Sequence, residues 1–142
     1  MPYVAVDASL AAKVVFSEQY TAQTAALFDL WARSGYQPVA PPLIVEELTN
    51  SVYKRLRRED ISLDDALNAL AALLGLDIDV RDVEPAHALS LAHEHRLSAA
   101  YDGFYLALAQ DHGCEFWTAD ERLYNAVRHR LQWAHWIGRY EP

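Results

Sequence analysis

Near its start the chain runs through four apolar residues, Tyr3-Val4-Ala5-Val6, straight into a carboxylate, Asp7, followed by Ala8 and Ser9. A short apolar run of this kind reads as a strand. In a parallel α/β sheet the ligand crevice lies outside the carboxyl ends of the strands, so an Asp as the first residue past such a strand points into that crevice. What the rest of the chain brings to that carboxylate is therefore the central question.

Strand and helix patterns alternate from there on. Residues 9–16 read as a short helix and residues 20–33 as an amphipathic one, with Ala25, Ala26, Leu27, Leu30 and Trp31 on one side and Ser34-Gly35 as the stop. An extended piece at Pro38-Val39-Ala40 leads into Pro41-Pro42, placed in the first turn of a helix over residues 43–58, where proline's missing N–H has no helical partner to lose. Ser62, three residues before Asp65, predicts a capped start for a helix over residues 63–74, which Gly75 ends. Ile78-Asp79-Val80 reads as a third strand. Pro85 opens a helix to His95, Ser98 is the expected cap of the next, to about Gln110, and His112-Gly113 stops it. Cys114-Glu115-Phe116-Trp117 reads as a strand that delivers Thr118-Ala119-Asp120 at its carboxyl end. A last helix is expected over residues 121–130 and an edge strand within residues 132–137. Strands separated by one or two helices imply a single α/β domain over residues 1–142, with a mostly parallel sheet of four to five strands covered on both faces as a three-layer α/β/α sandwich.

Composition excludes several classes. A single cysteine, Cys114, can form no intrachain disulfide and fits a reducing, cytoplasmic setting. The N-terminal run breaks at Asp7 before a signal-peptide core could form, and the greasiest window, residues 66–76, is too short for a membrane span and carries Asn68. A net charge of −8 argues against simple electrostatic adhesion to nucleic acid or an anionic membrane. Two basic clusters, Lys54-Arg55-Leu56-Arg57-Arg58 and Arg128-His129-Arg130, leave room for a local phosphate-binding face or for cations favoured at helix ends.

Four carboxylates stand out, two of them where apolar residues would be expected. On the helix over residues 43–58, Ile44, Leu48, Val52 and Leu56 form an apolar stripe, and Glu47 lies on its border while Glu46 points elsewhere. Asp102 interrupts an apolar face made by Ala99, Tyr105, Leu106 and Ala109. A carboxylate facing a core costs several kcal/mol unless it is paired or bound to a cation. Asp7 and Asp120 each follow a strand and precede a helix, where a helix cap belongs. Taken together, two strand-end acids and two core-facing acids point to one acidic site. Elsewhere, His93 and His95 are two apart and diverge on a helix, unlike a zinc-binding pair four apart. Trp31, Trp117, Trp133 and Trp136 fit packing as well as base stacking.

Four stretches, in order, carry a resemblance: Val6-Asp7-Ala8-Ser9; Ala40-Pro41-Pro42-Leu43 with Glu47-Leu48-Thr49-Asn50; Ser98 through Ala109 around Tyr101-Asp102-Gly103; and Thr118-Ala119-Asp120-Glu121-Arg122-Leu123. The chain is similar along nearly its whole length to the PIN-domain nucleases, in particular the VapC-type toxins. The resemblance implies an endoribonuclease that uses Mg²⁺ or Mn²⁺, is usually dimeric, and is inhibited by a cognate VapB-like antitoxin. It matches Asp7, Glu47, Asp102 and Asp120 to the family's acidic, metal-binding quartet and Ser9 and Thr118 to hydroxyl positions beside it. Asn50, three residues after Glu47, favours Glu47 over Glu46. Gly103 departs from the usual alanine, an exchange expected to loosen the helix slightly.

Converging carboxylates would raise one another's pKa, and a hard divalent cation with oxygen ligands would neutralise them and acidify a bound water. Lys13, Lys54, Arg55 and Arg122 are the cations expected to face RNA. Two rivals are a non-catalytic PIN-fold module that binds RNA or protein, and a phosphotransfer enzyme with Asp7 as nucleophile. The second resembles haloacid dehalogenases, which place another Asp where this chain has Ser9.

Overall fold

The structure, a computed structural model, describes residues 2–142; Met1, where the expected domain begins, lies outside them. Among the described residues five strands form one sheet: β1 (Tyr3–Val6), β2 (Gln37–Ala40), β3 (Asp79–Val80), β4 (Glu115–Thr118) and β5 (Ala134–Trp136). Their order is β3-β2-β1-β4-β5 and every pairing is parallel, so the sheet is wholly rather than mostly parallel. Seven α-helices flank it: α1 (Ala8–Val15), α2 (Thr21–Ser34), α3 (Ile44–Arg57), α4 (Leu63–Leu74), α5 (Pro85–Glu94), α6 (Ala100–His112) and α7 (Glu121–Val127), with a 3-10 turn at Ile137–Arg139. None of these helices is long and apolar enough to cross a membrane.

The strand alternation divides the core into two layers. Val4 and Val6 pack with Leu10, Leu27, Trp31 and Ile137 on the α2 side, whereas Ala5 and Phe116 turn to the other side, against Leu48, Leu91, Leu106 and Leu123 from α3, α5, α6 and α7. Apolar residues on both faces of β1 make it the buried central rail of the sheet.

Several local expectations need correction. Pro41 and Pro42 lie in a turn just before α3, whose first N–H groups bond to their carbonyls at 3.0 and 3.3 Å. The buried face of α2 is Thr24, Leu27 and Trp31, at spacings of three and four, and Leu30 is exposed. Ser98 does not cap α6: Ala99 holds that place, with no side-chain hydrogen bond. α7 ends at Val127, short of the expected Arg130, because the chain tightens there, the N–H of Arg130 bonding to the Val127 carbonyl, and turns toward β5. Gly103 has a packing role beyond its weak helix propensity. A Cβ there would lie 2.2 Å from the Ala88 carbonyl oxygen and 3.2 Å from the Ala92 Cβ, so its absence is what lets α5 and α6 meet.

Candidate active site

β1 is the switch point of the sheet: the chain leaves it toward β2 and β3, then returns to its other side as β4. A crevice at the carboxyl ends of strands opens at such a point. Pairing Val6 with Trp117 sets the next residues, Asp7 and Thr118, side by side. The Thr118 hydroxyl donates to Asp7 Oδ2 at 2.5 Å, and the Ser9 hydroxyl donates to Oδ1 at 2.7 Å. Oδ1 also accepts the Leu10 N–H at 3.0 Å, so Asp7 caps α1 while facing the cleft. Each hydroxyl is held in turn, Ser9 by the Ala119 N–H at 3.0 Å and Thr118 by the Asp120 N–H at 2.9 Å. Asp120 Oδ1 accepts from Arg122 and Leu123 as the cap of α7.

Asp7, Glu47, Asp102 and Asp120 line one cleft of about 290 Å³, with Ser9, Asn50, Ser51, Lys54 and Tyr105. Among the described residues none of the four carboxylates has an ion-pair partner within 4.0 Å, so the salt-bridge explanation for a core-facing Glu47 does not hold. Glu47 Oε1 accepts from the buried Tyr105 hydroxyl at 2.6 Å, leaving Oε2 without a partner. A carboxylate offers about four acceptor sites. Asp7 has one left after its three bonds, Asp120 keeps Oδ2, and Asp102 has both oxygens free.

Burial dominates the electrostatics here, ahead of the mutual repulsion expected from sequence. It pushes the Asp7 carboxyl up to about 7 against the pull of its three hydrogen bonds, with the charge of Asp102 the smallest contribution. Asp102 is pushed up to about 6, first by burial and then by Asp120 and Glu47, with Arg122 opposing. Burial also raises Glu47, against the Tyr105 hydrogen bond.

The cations expected to face RNA divide. Lys54 lines the cleft, and Arg122 lines a groove that shares Asp102 and Asp120 with it. Lys13 and Arg55 both pair with Glu18, at 3.4 and 2.5 Å, outside the cleft lining. Arg55 further donates to Ser51 and lies 4.0 Å over the Phe16 ring, which makes it a tie between α1 and α3. Tyr105 is the residue that sequence reasoning missed. Its place three residues after Asp102 on the same face was a signal, but it read as core.

The donor set fits a hard cation: oxygen ligands only, half-buried or buried, with free acceptors and, among the described residues, no cation in ion-pair contact. Among the described residues no three Asp, Glu, His or Cys side chains converge tightly enough to enclose an ion. An open site of this kind suits Mg²⁺, which keeps several waters and takes only one or two carboxylates directly.

Fold and cleft together define the class, a three-layer α/β/α domain with an acidic crevice at its switch point, as in the nucleases that the sequence resembles. The chain belongs to the PIN-domain family, which matches it over residues 4–128. Among solved structures it is similar to PAE2754 from Pyrobaculum aerophilum, with 23% identity, a TM-score of 0.70, and coverage of 97% of this chain and 85% of the other. It is also similar to VapC20 of Mycobacterium tuberculosis, a sarcin-ricin loop cleaving toxin, with 18% identity, a TM-score of 0.63, and coverage of 87% and 94%. No curated protein matches it.

Proposed function

We propose that this PIN-domain protein is a metal-dependent endoribonuclease of the VapC toxin type, which hydrolyses RNA phosphodiester bonds with water and is silenced by a small VapB-like antitoxin laid over the cleft. The observation that carries the reading is that four carboxylates from four separate segments line one cleft without a cationic partner. The likeness to a sarcin-ricin loop cleaving toxin supports the same direction.

In this reading Asp7, Asp102 and Asp120 bind Mg²⁺ or Mn²⁺, and Glu47 binds the ion or orients water. Ser9 and Thr118 hold Asp7 in place, and Asn50 lines the approach. A bound ion supplies charge neutralisation and a water of lowered pKa. With a net charge of −8, RNA must approach by a limited basic face, for which Lys54 and Arg122, lining the two adjoining grooves, are the candidates. A cytoplasmic homodimer completes the proposal.

RNA cleavage that requires Mg²⁺ or Mn²⁺ is the expected result, and Asp102→Asn should lower kcat ~100-fold or more, the loss of a few kcal/mol of charge stabilisation. Full activity in that variant would remove Asp102 from the site. Absence of Mn²⁺ binding by calorimetry would favour the non-catalytic module instead.

A further inference from the structure

A second, smaller groove of about 150 Å³ leaves the acidic cleft past Asp102 and Asp120, between the turn after α5 and the Arg122, Leu123 and Ala126 side of α7. Arg96 and Arg122 line it, and Leu97, Leu123 and Ala126 give it an apolar floor. We infer that this groove is a subsite for one nucleotide of a single-stranded RNA, adjacent to the scissile phosphate, with Arg96 and Arg122 on its phosphate and the apolar floor under its base or sugar. The inference rests on the nuclease reading of the cleft.

The disposition of cations supports it. Of the twelve Lys and Arg side chains, six sit in ion pairs: Lys13, Arg33, Arg55, Arg58, Arg81 and Arg130. Among the described residues three of the other six, Lys54, Arg96 and Arg122, line the two grooves that meet at Asp102 and Asp120. An acidic protein with carboxylates to spare has left these cations unpaired beside its acidic cleft. Lys54 stands on the α3 side and the two arginines beyond Asp102 and Asp120, so a strand crossing the cleft meets a cation on either side of the carboxylates.

Arg96 carries a second signal. It follows the C-terminus of α5 with φ at 52°, in the left-handed region where glycine is the usual choice. Glycine would make this turn with less strain, so the position retains an exposed arginine at a conformational cost. A guanidinium presents a planar fork of donors that matches phosphate oxygens, and an apolar floor suits a base face of any sequence.

The test uses Arg96→Gln and Arg122→Gln in the full chain, with Arg33→Gln as a charge-matched control, because Arg33 lies exposed at the opposite end of the sheet in a pair with Asp29. Binding of a fluorescein-labelled, mixed-sequence, single-stranded RNA is followed by anisotropy in EDTA across a salt series. Each groove variant should weaken binding ~10-fold and flatten the slope of log Kd against log salt by ~0.7, the value for one lost phosphate contact on a single strand. The control should change neither. In Mn²⁺ both groove variants should raise KM by a similar factor, and Arg96→Gln, which carries no charge coupling to Asp102, should keep kcat within about twofold.

Slopes unchanged in the groove variants, or changed equally in Arg33→Gln, would overturn the subsite, as would failure of the unaltered protein to bind RNA. A fall in kcat with an unchanged slope would also overturn it, showing that Arg122 tunes the neighbouring acids and does not hold RNA. RNA binding with the expected slopes but no Mn²⁺-dependent cleavage would support the subsite and defeat the nuclease reading.

Discussion

At the scale of single residues, Asp7 depends on its two hydroxyl neighbours. It is 5% exposed, and Thr118, fully buried, supplies its shortest hydrogen bond. Thr118→Val keeps the shape and removes the donor, leaving one Asp7 oxygen unsatisfied. The expected loss is ~1–3 kcal/mol in denaturant unfolding above neutral pH, where Asp7 is ionised. Ser9→Ala should cost less, since Oδ1 keeps the Leu10 N–H. Equal stability of Thr118→Val and the parent would mean that the bond contributes nothing. Asp7 and Thr118 could be placed from the sequence because a strand end fixes where such residues stand, whereas Ser9 was matched only through the family resemblance. The Tyr105 hydroxyl was not, since a tyrosine on a buried helical face looks like packing until tertiary structure places Glu47 2.6 Å away.

At the scale of elements, α6 carries both Asp102 and the close approach to α5. Gly103→Ala would drive a Cβ to 2.2 Å from the Ala88 carbonyl oxygen, a backbone atom that can yield only if one helix shifts. Overpacking of this kind should cost ~2–3 kcal/mol, seen as a fall in Tm of roughly 5–10 °C for a chain of this length. Activity should fall too, because Asp102 precedes the glycine and moves with it. A variant with unchanged Tm would show that the helices separate freely. Read from sequence, Gly103 is a weak helix former; its function lies in a neighbour fifteen residues away, which no local pattern shows. The same limit explains Ser98, a sound cap by residue type that the helix start bypasses by one residue. Strands, by contrast, were legible to within a residue or two, because burial on both faces leaves short apolar runs with turn residues around them.

For the whole molecule, the raised carboxyls set how stability follows pH when no divalent ion is bound. An unfolded Asp titrates near 3.8, whereas folded Asp7 titrates at about 7, so between those values the folded chain holds a proton that the unfolded chain has lost. The unfolding free energy therefore falls as pH rises through this window, and the full penalty is reached above about 7. Asp102, pushed up to about 6, acts in the same direction but more weakly, because water still reaches it. His95 opposes them at the acid end: burial lowers its pKa, so below its ordinary value of 6.5 the unfolded chain gains protons more readily and stability declines. The informative interval is thus from about pH 6.5 to 8, where His95 is at most half protonated in either state and Asp7 is still losing its proton. In EDTA the Tm should fall across that interval, and Asp7→Asn should abolish most of the fall. A divalent ion binds the ionised form, so Mn²⁺ should restore the Tm at about pH 8 and do little near pH 5.5, where protons already occupy Asp7. A Tm in EDTA that rises from about pH 6.5 to 8 would contradict a buried, proton-holding Asp7 and with it the need for a cation in this cleft.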